Sequence, residues 1–125
     1  MKPVFSKNAP EPIGPYSQAI ESGHYVFCSG QVAIDPQRGV LVDGDVAAQA
    51  SRTLSNLLEV LKAAGLSATD VVKTTVFLID MNDFAAVNDA YARFFGDAKP
   101  ARSTVAVSGL PLGARVEIDA IARKA

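Results

Sequence analysis

The sequence predicts an α+β domain in which two amphipathic helices pack on one face of a mixed β-sheet. Three observations carry this expectation. Apolar residues recur at three- and four-residue spacing in two segments only. Short runs rich in β-branched and aromatic residues lie before, between and after them. Gly and Pro punctuate the junctions. The length of 125 residues suits one domain, 1–125, and no repeat or low-complexity linker divides it.

Taken in order, Val4-Phe5-Ser6 reads as a short first strand. Pro10, Pro12, Gly14 and Pro15 then hold an extended loop. Ser17 to Ile20 and His24 to Val32 form a hairpin about Ser22-Gly23. Tyr25, Phe27 and Ser29 share one face of its second strand, with Val26, Cys28 and Gly30 on the other. Asp35-Pro36-Gln37-Arg38-Gly39 is turn chemistry, the tip of another hairpin. The clearest element is a helix from Val46 to Ala64. Its stripe is Val46, Ala50, Leu54, Leu57, Leu58, Leu61 and Ala64, with Asp45 as N-cap and Gly65 as left-handed stop. After a short turn at Ser67 to Asp70, Val71 to Ile79 reads as a strand. Asn82 or Asp83 caps a second helix ending at Phe95, with Phe84, Val87, Tyr91, Phe94 and Phe95 mainly on one face. Ser103 to Val107 and Arg115 to Ala122 are the last strands. Two helices cover only one sheet face, yet the final strands carry apolar residues on alternate positions. Burial by neighbouring copies resolves this, so a homo-oligomer is expected.

Composition narrows the functional classes. A formal net charge of -1 provides no global positive field for nucleic acid or an anionic membrane. The lone Cys28 forms no internal disulfide, the N-terminus lacks a signal-peptide pattern, and no run is long enough to span a bilayer. A cytoplasmic location is the expectation. One His and one Cys argue against a zinc site built from those ligands.

Arg102 is the first candidate for chemistry. It follows Lys99-Pro100-Ala101 at the opening of a strand, where a guanidinium can grip a carboxylate through two parallel hydrogen bonds. A surface or structural arginine would fit the same position. Glu117 sits in a strand expected to be buried and suits orientation or activation of water; the alternative is a solvated carboxylate or a structural pair with Arg102 or Arg115. Tyr16, after two prolines and a glycine, can wall a pocket or merely pack its loop. Ser29-Gly30-Gln31 closes a strand where glycine permits close approach of a ligand, or forms a plain bulge. Cys28 has no His-based partner and reads as a packing thiol, and His24 as an exposed turn residue.

Several of these residues fall in motifs that resemble the RidA/YjgF family. They are Ile13-Gly14-Pro15-Tyr16-Ser17-Gln18-Ala19, Ser29-Gly30-Gln31, Pro100-Ala101-Arg102-Ser103 and Val116-Glu117-Ile118-Asp119-Ala120-Ile121-Ala122. Between them, Asp45 to Ala50, Val72 to Phe77 and Asn82-Asp83-Phe84 to Asn88 also match, so the resemblance covers nearly the whole chain. It implies a chorismate mutase-like fold assembled as a homotrimer, with sites in the clefts between subunits. It also implies 2-iminobutanoate/2-iminopropanoate deaminase activity, which converts reactive enamines and imines to 2-keto acids and ammonia without metal or cofactor. Carried over by position, Arg102 holds the substrate carboxylate and Glu117 serves the catalytic water. Tyr16, Ser29, Gly30, Phe84, Asn88 and Thr104 line the pocket. Many relatives have cysteine where this sequence has Thr104, which rules out a thiol mechanism there, and the segment between Phe95 and Arg102 is short. The rival expectations are a non-catalytic carboxylate-binding or chaperone-like module and a translation-inhibiting ribonuclease. The net charge and the single histidine argue against the second.

Overall fold

The computed structural model describes residues 1–125. Six strands form one sheet: β1 (Lys2–Val4), β2 (Ala19–Ser22), β3 (Tyr25–Gln31), β4 (Val71–Leu78), β5 (Ala101–Ala106) and β6 (Val116–Arg123). Their spatial order is β1-β2-β3-β6-β4-β5. Only β4 and β5 run parallel, and the chain between them contains α2 (Phe84–Phe95). With α1 (Val46–Ala63) this makes the mixed α+β sheet with two helices that the hydrophobic periodicity implies.

Helix α1 begins where Asp45 accepts a hydrogen bond from the Ala48 N–H at 2.9 Å, and it ends before Gly65, whose φ of 78° suits glycine. Its buried face differs from the expected stripe. Leu58 and Ala64 are only partly covered, whereas Gln49, Thr53, Asn56 and Val60 are buried. Asn56 and Gln49 enter this face because they serve the segments beneath it. Asn56 donates to the Val32 and Ile34 carbonyls at 3.0 and 2.8 Å, and Gln49 accepts from the Arg115 N–H at 2.9 Å. Leu54, Leu57 and Leu61 are essentially inaccessible, each contributing about 1.5–3 kcal/mol by burial.

Several boundaries depart from expectation. The first strand is Lys2–Val4, not Val4 to Ser6, because the Ser6 N–H leaves the ladder for Gln18 Oε1 at 2.6 Å. The Gln18 amide also donates to the Ser6 and Pro10 carbonyls, clasping the proline loop, and β2 starts only after it at Ala19. Asp83 precedes α2 without capping it, since its carboxylate is engaged by Arg115 at 2.8 Å; Asp80 caps the preceding 3-10 turn instead. Arg102 lies inside β5, one residue beyond its start.

The sheet face turned away from the helices carries Tyr25, Phe27, Val72 and Val105, each 42–46% exposed. One apolar face therefore lies open in the single chain. No helix is long and apolar enough to cross a membrane.

Candidate functional site

Strand register sorts the expected site residues into two groups. Arg102 aligns with Thr74, which aligns with Ala120 across the sheet, and both of those are buried beneath the helices. Glu117 aligns with Phe77, and Phe77 with Val105 on the open face. Since Thr74 and Phe77 are an odd number of residues apart, alternation puts Arg102 and Glu117 on opposite faces of the sheet.

On the helix side, a cavity of about 310 Å³ is lined by Asn88, Tyr91, Ala92, Phe95, Lys99, Pro100 and Arg102, among others. The Arg102 guanidinium carbon lies 4.7 Å from the centre of the Tyr91 ring and 5.6 Å from that of Phe84. Arg102 takes no part in the ion pairs of the chain, which join Lys62 to Glu59, Arg115 to Asp83 and Lys124 to Glu21. The cavity lining carries two cations and no carboxylate. A stacked guanidinium in such a place has its donors uncommitted and is suited to a carboxylate. Thr104, two residues on along the same strand face, has a buried Oγ1 with no hydrogen-bond partner in the chain.

On the other side, Tyr16, Gly30 and Glu117 line a cavity of about 280 Å³ with Pro10, Glu11, Ile13, Gln31, Val32, Ile34 and Pro111. The Tyr16 hydroxyl accepts from the Ile13 N–H at 3.2 Å, which fixes the ring in its loop. Ser29 donates through its hydroxyl to the Ser17 carbonyl at 2.6 Å, joining that loop to β3. Gly30 sits at a bulge between Cys28 and Gln31, where β3 passes so close to Glu117 that an added Cβ would stand 2.8 Å from its Cδ. Burial pushes the Glu117 carboxyl above its ordinary range, and the neighbouring Asp119 charge adds to the effect. Glu117 pairs with neither arginine, since Arg115 holds Asp83. Cys28 is buried, and desolvation pushes its thiol up to about 12, so it is a packing residue. His24 is exposed.

Tyr91, Lys99 and Pro111 join these cavities without having been singled out as site candidates by the sequence. Tyr91 was one member of an apolar stripe; the signal available was its hydroxyl, which a purely apolar contact does not require. The others carried no local signal, because only the tertiary fold brings them to a cavity.

Among proteins of known sequence, a RutC family protein of Pyrococcus horikoshii is 53% identical, covering 97% of this chain and 96% of its own. The mouse protein named 2-iminobutanoate/2-iminopropanoate deaminase is 50% identical, covering 97% of this chain and 90% of its own. The crystal structure of Escherichia coli TdcF with bound serine superimposes with a TM-score of 0.95 at 42% identity, covering 100% of both chains. The Escherichia coli YjgF structure does so with a TM-score of 0.95 at 44% identity, again over 100% of both. The family profile described as endoribonuclease L-PSP matches residues 6–124, and the chain belongs to that family, the RidA/YjgF family.

Proposed function

We propose that this protein hydrolyses small 2-imino acids to 2-keto acids and ammonia. The observation that carries the proposal is the Arg102 guanidinium, stacked on Tyr91 beside a cavity without carboxylates and unpaired within its own chain. Mammalian relatives at about half identity bear the name of this activity, and the bound serine in TdcF supports a small carboxylate ligand.

In this reading Arg102 anchors the substrate carboxylate, with Asn88, Phe84 and Thr104 shaping its surroundings. Tyr16, Ser29 and Gly30 wall the imine end. Glu117 takes a proton from water as the oxygen attacks the C=N carbon. That proton passes to nitrogen to give a carbinolamine, whose hydroxyl proton follows it through Glu117 as the C–N bond breaks, releasing 2-keto acid and ammonia. A carboxylate less willing to ionise than usual is a stronger base once ionised, which suits Glu117 to the task. An imine already reacts with water unaided, so positioning plus one general base suffices. Because Arg102 and Glu117 occupy opposite sheet faces, the reacting cleft joins the Arg102 side of one copy to the Glu117 side of another, as in the expected homotrimer.

The test couples a pyridoxal-phosphate threonine or serine dehydratase to the protein and follows keto-acid release. Wild type should accelerate release. Arg102→Ala should lower kcat/KM by about a hundredfold or more while keeping its fold. Glu117→Gln should bind 2-oxobutanoate normally but lose about 10²–10⁴ in turnover. Near-normal turnover by folded Arg102→Ala would sink the assignment, whereas binding without any wild-type acceleration would favour a carboxylate-binding module.

A further inference from the structure

We infer that Tyr91 is a positioning residue for Arg102: its ring, clamped from behind, holds the guanidinium where a substrate carboxylate arrives. The inference rests on the imino-acid reading of the Arg102 cavity and deepens it.

A free arginine side chain explores many rotamers, and each must be given up when a ligand binds. Here the guanidinium carbon lies 4.7 Å from the Tyr91 ring centre, within cation–π range, while no carboxylate of the chain competes for it. The ring itself is fixed. Its hydroxyl shares a 2.7 Å hydrogen bond with Thr74 Oγ1, a side chain fully buried in β4. The Phe95 ring packs 4.5 Å away, centre to centre, and Phe94 braces Phe95 edge-on at 4.8 Å. Thr74 is also the residue aligned with Arg102 across the parallel β4–β5 ladder. The strand pair that carries the arginine thus also carries the anchor of its platform. Filling space under α2 would need only an apolar residue, yet the hydroxyl and its buried partner set this ring in one orientation. Orienting the arginine before the ligand comes raises affinity by reducing what binding must order.

The test measures the affinity of 2-oxobutanoate and of its uncharged analogue 2-oxobutanamide, alongside imine turnover. Tyr91→Leu should weaken 2-oxobutanoate about tenfold, leave the amide unchanged, and raise KM far more than it lowers kcat. Tyr91→Phe keeps the ring but releases the clamp, and should weaken the carboxylate selectively, by less than Tyr91→Leu. Thr74→Val releases the clamp with little change of volume and should weaken the carboxylate selectively, by less than Tyr91→Leu. Wild-type affinity in folded Tyr91→Leu overturns the inference, as does equal weakening of both ligands, which marks a merely structural role. Should Tyr91→Leu fail to fold, unchanged carboxylate affinity in Thr74→Val overturns it instead. Carboxylate binding that depends on Arg102 and Tyr91 without imine hydrolysis would uphold this inference and sink only the enzymatic reading. Binding indifferent to Arg102→Ala overturns both.

Discussion

A methyl group at position 30 would collide with the Glu117 carboxyl group. A Cβ there would stand 2.8 Å from Glu117 Cδ and 3.0 Å from Cγ, closer than nonbonded carbons tolerate. Gly30 does not adopt a left-handed conformation, so its lack of a side chain serves this close approach and not backbone freedom. Gly30→Ala should therefore displace the Glu117 carboxylate and lower kcat about 10–100-fold, leaving 2-oxobutanoate affinity at Arg102 near wild type. Steady-state kinetics and calorimetric titration of that variant check both parts. A wild-type kcat would mean that Glu117 is not held by this contact or does not act in turnover. Thr104 presents the opposite case. It is a buried hydroxyl without a partner in the chain, on the same strand face as Arg102.

At the scale of elements, position 115 is a junction. The Arg115 N–H donates to Gln49 of α1, its carbonyl accepts from the Ile79 N–H at the end of β4, and its guanidinium holds Asp83 beside α2. Asp83 is nearly buried and its Oδ2 has no partner, so the arginine is what makes that charge tolerable. Arg115→Ala should cost about 1–2 kcal/mol of unfolding free energy, below the value for a fully buried pair because the Arg115 side chain is 46% exposed. Adding Asp83→Asn should restore most of the loss, and urea unfolding of the single and double variants checks this. The same junction explains where sequence reasoning stopped short. Helix α1 was legible from its stripe, Asp45 and Gly65, which are local signals. Asp83 also looked like a helix cap, but a residue far along the chain claims its carboxylate. The β1 boundary moved for a similar reason, since Gln18 takes the Ser6 N–H across twelve residues. Local chemistry is written locally; competition between local and distant partners is not.

Over the whole molecule, the family motifs named the candidate residues and implied clefts between subunits, but the register that separates Arg102 from Glu117 was not written in them. Nothing local in Arg102 or Glu117 says how β5 and β6 register against β4, and it is that register which sends their side chains to opposite faces. A single chain cannot close Arg102 and Glu117 around one small acid. Its open face, with Tyr25, Phe27, Val72 and Val105 exposed, offers apolar surface on which another copy can pack. A site shared between copies makes a sharp prediction. Arg102→Ala and Glu117→Gln should each be nearly inactive alone. Co-expressed at equal levels, they should regain about a quarter of wild-type activity per chain. The fraction follows because a cleft works only when its arginine comes from the Glu117→Gln chain and its glutamate from the Arg102→Ala chain, one of four equally frequent combinations in a cyclic oligomer. Native mass spectrometry would verify that the two variants share assemblies, and the coupled dehydratase assay would read activity. Mixed assemblies that remain inactive would mean that one chain supplies both residues after all, and the sheet would then have to rearrange for the reaction to proceed.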